Sequence, residues 1–284
     1  MIYRICDNTG KQMPYKWINF SDKTCNVELD TQVADMFDQV DTLTITVSPL
    51  GNTESMDTVP MRLMMLVDAL RHTLGNEPRI NLYLDYLPNA RADRRFLSTN
   101  SVPLSIFIDL IHRCRFNKVY VELPHNAAAL HSSWVVVERS VVHEMLTHPM
   151  NSHDVLVFPD KGAADRFSKY SSGWPVVFEK KRDVNTGKVV GMQIISGPST
   201  KEPGTTFLIL DDICDGGRTF IECAQVLLDT FPGCKVKLAV AHGIFSKGLE
   251  VFDGLLDSVY TRNIVGDYVT MQDIINFNAR GALL

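Results

Sequence analysis

Among the six cysteines, Cys6, Cys25, Cys114, Cys214, Cys223 and Cys234, no Cys-x-x-Cys pair and no metal-ligand spacing occurs. The thiols therefore read as reduced groups in a cytosolic protein rather than as a disulfide or zinc framework. Long apolar runs are also missing, and none approaches the roughly 20 residues that span a bilayer. The first residues, Met1–Asp7, lack the charged-then-apolar layout of a signal peptide, so the expected location is the cytoplasm. Neither the Walker nor the dinucleotide-binding glycine fingerprint is present. There is no low-complexity segment and no short-period repeat. Basic charge is in deficit: 28 Lys and Arg against 33 Asp and Glu leave a net charge of −5 and a pI near 5.9. That balance argues against a general nucleic-acid binder.

What remains has an ordinary globular composition, 45% hydrophobic and 21% charged over 284 residues, a length that suggests two domains. Two short extended stretches, Tyr15–Phe20 and Cys25–Leu29, flank a Ser21-Asp22-Lys23 turn. Thr42–Val47 alternates and is rich in β-branched residues, as a strand should be. A helix follows from about Pro60, with Met61, Met64, Met65, Val67, Ala69 and Leu70 as its apolar side and Gly75 as its stop. Strands at Ile80–Leu84 and Lys118–Leu123 enclose a helix at Val102–Cys114. The pattern restarts with a strand at Asp154–Phe158, a helix through Ala163 and Phe167, and a strand at Val176–Phe178. Gly187–Ile195 suits an antiparallel partner, and Lys235–Ala241 and Ser258–Tyr260 are later strands. Strands alternating with helices predict two tandem doubly wound parallel-sheet domains, 1–145 and 146–284.

The second half centres on Phe207–Thr219. Phe207 to Leu210 is an unbroken apolar run, as in a strand buried on both faces. Asp211 and Asp212 stand at its end, and Asp215-Gly216-Gly217 makes a tight turn where glycine lets backbone approach a ligand. From Arg218 the pattern turns helical, with Phe220, Ala224, Leu227, Leu228 and Phe231 at spacings of three and four. A strand, an acidic edge, a glycine turn and a helix start together suit a phosphorylated ribose. Backbone N–H groups and the helix dipole would face the phosphate, and carboxylates would take sugar hydroxyls directly or through Mg²⁺. The plainer reading is a strand-to-helix turn in which Asp215 caps the helix.

Charged loops stand at four expected C-terminal strand ends: Tyr86–Arg95, Glu122–Asn126, Pro159–Gly162 and Asp211–Thr219. That edge is where open α/β sheets bind ligands. A fifth charged element, Lys180-Lys181-Arg182, precedes Asp183–Gly187 and suits a lid over a transferring phosphoryl group.

In these loops the chain resembles the ribose-phosphate diphosphokinases, also called phosphoribosyl diphosphate synthetases, from about Phe20 to Val265. The family's Arg-Phe-Ser-Asp-Gly-Glu turn looks like Asn19-Phe20-Ser21-Asp22-Lys23-Thr24. Its Tyr-x-Pro-Tyr-Ala-Arg-Gln-Asp-Arg loop looks like Tyr86-Leu87-Pro88-Asn89-Ala90-Arg91-Ala92-Asp93-Arg94. Its Ser-Pro-Asp-x-Gly-Gly resembles Phe158-Pro159-Asp160-Lys161-Gly162-Ala163, and the start of its catalytic loop aligns with Lys180-Lys181-Arg182. Its Asp-Asp-x-x-Asp-Thr-Gly-Gly-Thr loop is similar to Asp211–Thr219.

The resemblance implies transfer of the β,γ-diphosphate of ATP to the anomeric hydroxyl of a 5-phosphorylated ribose, with release of AMP. It implies ATP binding by Phe20, Asp22, Arg91 and Asp93, the first two from a neighbouring subunit of a homodimer or hexamer. His125 and Asp160 would ligate Mg²⁺, while Lys180 and Arg182, with His125, would serve the transfer. Asp211 and Asp212 would take the ribose hydroxyls, and Asp215, Gly216, Gly217, Arg218 and Thr219 the 5-phosphate.

Four departures stand out. The family's Asp-Leu-His metal motif reads Glu122-Leu123-Pro124-His125, one residue longer. Thr24 replaces an acidic residue and Ala92 a glutamine. Arg218 stands where the family keeps a small residue, and an added guanidinium can clamp a second phosphate. Arg218 therefore raises ADP-ribose as an acceptor, yielding ADP-ribose 1-diphosphate for NAD synthesis, as in viral relatives of the family. A non-catalytic regulatory relative and a phosphoribosyltransferase are the alternatives.

Overall fold

The computed structural model describes the chain except residues 31–36, 38, 51–53, 75–76, 96, 148–153, 183–188, 200–201, 203 and 282–284. It divides into two compact units, Met1–Glu138 and Arg139–Leu284. The division precedes the join expected near residue 145 because a helix unseen in the sequence, Arg139–Thr147, packs on strands Lys235–Gly243 and Ser258–Ile264.

The first unit runs through β1 (Ile2–Asp7), β2 (Gln12–Met13), β3 (Tyr15–Asn19), β4 (Cys25–Leu29), β5 (Thr42–Ser48), α1 (Val59–Thr73), β6 (Arg79–Leu84), α2 (Pro103–Arg113), β7 (Val119–Glu122) and β8 (Val135–Val137). Its main sheet has the order β2-β1-β5-β6-β7-β8, and β3 and β4 form a separate hairpin. Strands β5 to β8 are parallel, while β1 runs antiparallel to β5. The period-2 pattern works as expected in β5, where Leu43, Ile45 and Val47 are buried. It works equally in β1, where Tyr3 and Ile5 point inward between exposed neighbours. Helix α1 begins with Pro60 in its first turn, where a missing N–H costs nothing. It buries Leu63, Leu66, Val67 and Leu70 rather than the methionine side. Met61 lies exposed and Met64 and Met65 only pack at the core's margin. The expected stop, Gly75, lies outside the described residues, and the helix ends as Leu74 takes an extended conformation.

The second unit contains α3 (Arg139–Thr147), β9 (Val155–Phe158), α4 (Lys161–Phe167), β10 (Val176–Arg182), β11 (Val189–Ser196), β12 (Thr206–Cys214), α5 (Arg218–Thr230), β13 (Lys235–Gly243), β14 (Ser258–Ile264) and α6 (Met271–Gly281). Its sheet order is β11-β10-β9-β12-β13-β14, all parallel except the β10–β11 pair. After β9 the chain winds outward through β10; after β12 it winds the other way through β13 and β14. The switch point lies between β9 and β12, where an open α/β sheet leaves a crevice at its carboxyl edge. All four residues of β9 and Phe207–Leu210 of β12 are buried, as strands covered on both faces require.

Candidate functional site

At the switch point, β12 is longer than its apolar run suggested. It continues through Asp211 and Asp212 to Cys214, in register with β13, whereas its pairing with β9 stops at Ile209. The acidic pair therefore sits in the strand and not in the following loop. Asp212 is 4% exposed and its N–H donates to Asp211 Oδ1 at 2.8 Å. Burial, followed by the neighbouring Asp212 charge, holds the Asp211 carboxyl well above the usual carboxylate range; Asp160 adds to the effect. Arg166, from α4, approaches Asp212 Oδ2 at 3.4 Å with both side chains largely covered. Nothing in the sequence singled out Arg166, because its partner lies 46 residues away.

The turn that follows is built by glycine. Gly217 caps α5 at φ 76°, and a Cβ there would fall 2.6 Å from the Phe252 ring. As a glycine, this N-cap has no side chain of its own to bond the first turn of α5. The N-cap position is taken by Gly217, and Asp215 Oδ1 accepts from Ser246 Oγ at 2.6 Å while its carbonyl accepts from Ser246 N. The loop after β13 so braces the turn, another contribution the sequence did not reveal. What the turn offers is a helix start with a glycine N-cap, a place where backbone N–H groups can meet an anion. Arg218 is 82% exposed on this turn and pairs with Glu222 at 2.7 Å, one helical turn on.

Asp160 caps α4, its Oδ1 accepting from Ala163 N at 2.8 Å. Lys180 and Arg182 lie in β10, opposite Met192 and Val189 of β11, with a register shift before Arg182. They therefore stand on a hairpin arm rather than in a loop; the Arg182 side chain and residues 183–187 lie outside what is described. Lys180 and Lys181 are exposed. Glu179 is engaged by Lys161 and Gln193.

In the first unit, the 86–95 loop is less solvent-borne than its charge suggested. Leu87 and Ala90 are 1% and 2% exposed and belong to the core, so they hold the loop down while Arg91 stays exposed. Asp93 accepts from Asn126 Nδ2 at 2.6 Å, which ties this loop to the one after β7. Asp93 also borders a cavity of about 320 Å³ shared with Ser105, Asp109, His112 and His131. His125 is exposed at the next turn, whereas Glu122 is buried and accepts from the Tyr83 hydroxyl at 2.9 Å. Asp22 accepts from both Thr24 N and Thr24 Oγ1, which lowers its pKa and locks the β3–β4 turn. Phe20 remains 51% exposed at the hairpin tip. Among the described residues, no three His, Cys, Asp or Glu side chains converge as a metal-holding group.

Residues 145–260 match the phosphoribosyl transferase domain family. The second unit is thus a phosphoribosyltransferase-type α/β domain, and the glycine turn after β12 falls inside the match. Curated ribose-phosphate pyrophosphokinases are similar over most of the chain. Those of Mycoplasmopsis pulmonis and Gloeobacter violaceus are 26% and 28% identical, over 73% and 72% of the chain. That of Sulfolobus acidocaldarius is 24% identical over 78% of the chain and 77% of its own length. The chain spans only 65% and 61% of the first two relatives. The crystal structure of phosphoribosylpyrophosphate synthetase from Mycobacterium smegmatis shares the fold, with a TM-score of 0.65 at 14% identity and coverage of 95% and 90%. The chain is thus similar to ribose-phosphate pyrophosphokinases in sequence and shares the fold of a phosphoribosylpyrophosphate synthetase.

Proposed function

We propose that the protein is an ATP-dependent diphosphotransferase acting on a 5-phosphorylated ribose. The anomeric hydroxyl oxygen attacks the β-phosphorus of ATP, the bond to the α–β bridging oxygen breaks, AMP departs, and the hydroxyl proton passes to solvent. The observation that carries this reading is the pairing of an acidic couple, half-buried Asp211 and buried Asp212, with a glycine turn that starts a helix. In it, Asp211 and Asp212 hold the ribose hydroxyls, and Asp215, Gly216, Gly217 and Thr219 hold the 5-phosphate. Arg91 and Asp93 hold ATP, with Phe20 and Asp22 supplied by a second copy in a homo-oligomer. Lys180, Arg182 and His125 neutralise the transferring diphosphate, since such transfers need positioning and charge rather than a covalent nucleophile.

Mg²⁺ suits the donor chemistry present. It takes hard oxygen ligands, commonly one or two carboxylates completed by substrate phosphates. An aspartate pair whose charges repel one another is relieved by such a cation. Asp160 and His125 are the residues the family resemblance assigns to it. When bound, Mg²⁺ would neutralise phosphate charge during transfer.

Ribose 5-phosphate is the acceptor that the relatives' names support. The exposed Arg218 favours a second acceptor, ADP-ribose, because a guanidinium beyond the phosphate turn suits a second phosphate. No described helix is long and apolar enough to cross a membrane. Incubation with ATP, Mg²⁺ and each acceptor, followed by AMP chromatography and phosphorus NMR of the sugar product, tests the proposal. AMP formed in step with a 1-diphosphorylated sugar is expected. No acceptor-dependent AMP would overturn the assignment, and equal or better turnover of ribose 5-phosphate would remove the ADP-ribose version.

A further inference from the structure

The phosphate turn has a second cation beside it that sequence order conceals. Lys247 lies 31 residues beyond Gly216, in the loop that follows β13. The stem of Lys247 runs along Gly216: its Cγ lies 3.4 Å from where a Cβ on that glycine would stand. The neighbouring Ser246 fixes this approach by donating to Asp215 Oδ1 at 2.6 Å, and its N–H by donating to the Asp215 carbonyl. Phe245, at φ 50° and 1% exposed, and Gly248, at φ 72°, bend the backbone on either side. Phe245 is buried in the core, so the bend that presents Lys247 is held by packing. Lys247 is exposed and makes no ion pair among the described residues. Arg218, the cation the sequence drew attention to, is already engaged by Glu222 at 2.7 Å.

We infer that Lys247 is the acceptor-binding cation of the phosphate turn, a specificity residue for sugars carrying a 5-phosphate ester. The inference rests on the acceptor assignment made above. A helix start and glycine amides supply directed N–H groups but only partial charge. A dianionic phosphate also calls for a full positive charge near it, and a lysine whose stem is pinned against the turn supplies one at low ordering cost. Arg218 must leave Glu222 before it can serve, so it contributes less to a single phosphate and more to a longer anionic group.

The test is calorimetric binding of ribose 5-phosphate, without ATP, to the full chain and to the Lys247→Ala and Lys247→Arg variants, with unsubstituted ribose as control. Loss of one charge-assisted contact should weaken ribose 5-phosphate binding by roughly tenfold or more. Arginine at 247 should restore most of it. Thermal melting of both variants should match the parent, since Lys247 is exposed. Unaltered ribose 5-phosphate affinity in Lys247→Ala overturns the inference. So does failure of the parent protein to bind ribose 5-phosphate. If the parent binds the sugar and Lys247→Ala does not, but no AMP forms in the coupled assay, the transfer reaction fails while the Lys247 assignment stands.

Discussion

The two units share a parallel-sheet plan but hold their charged residues in opposite ways. In the second unit the key acids are part of the sheet: Asp211 and Asp212 sit in β12, in register with β13, and Arg166 covers Asp212 from the adjacent helix. In the first unit Arg91 and Asp93 ride on a loop that is held down by its apolar neighbours Leu87 and Ala90 and by the Asn126 contact to Asp93. A sheet-borne acid is fixed and desolvated, so its charge is costly until a ligand answers it. A loop-borne cation is hydrated and adaptable, and its charge costs little. The contrast suits a rigid acceptor cradle and a compliant nucleotide contact.

The strongest way to break this contrast is Asp212→Arg. It should lower kcat/KM for diphosphate transfer by roughly a hundredfold or more, because it replaces the buried partner of Arg166 with a like charge. Wild-type turnover in a folded variant would contradict the acceptor assignment. Arg91→Ala probes the other unit and should raise the KM for ATP about tenfold, with melting temperature unchanged because the side chain is exposed. A large fall in melting temperature would mean that the loop is more than a compliant contact.

Stability against pH sharpens the comparison further. The folded-state pKa of Asp211 is raised, so its favourable contribution is present below the unfolded carboxylate pKa of about 4 and is lost as pH rises through the folded value. Asp211→Asn, which stays neutral, should therefore melt several degrees above the parent at pH 8, with the gap closing near pH 4. Equal melting at both values would show that the buried pair carries no such cost. The smallest effect concerns the thiols. Burial pushes Cys114 up to about 11 and raises Cys214 and Cys223 further, whereas Cys6 and Cys25 are only half-buried. Native labelling with a thiol-specific alkylating reagent should modify Cys6 and Cys25 first. Rapid reaction at Cys214 would show that β12 opens.

Much of this was legible in the residues themselves. Apolar alternation and runs located β5, β6, β9 and β12, and the Asp215–Thr219 pattern located the turn, because local chemistry dictates those features. Three things were hidden because they depend on distant partners. The true buried face of α1 is set by the sheet beneath it, which chose Leu63 and Leu66 over Met61 and Met64. Strand β12 outran its apolar run because β13 offers a ladder as far as Gly243, and backbone pairing is indifferent to a carboxylate side chain. Arg166, Asn126 and Ser246 acquire roles only when separate segments meet. Strands β2 and β8, two and three residues long, are too short to show a period.

One consequence follows from β12 outlasting β9. Beyond Ile209 the strand keeps a neighbour on its β13 side alone, so its amides divide into two kinetic classes. In deuterium exchange, N–H groups directed toward β13 would be slow throughout, while those directed toward the crevice would be slow up to residue 209 and fast after it. A sugar seated against Asp211 and Asp212 would slow the second class without touching the first. That half-strand is a built-in reporter of occupancy, readable with no label and no turnover.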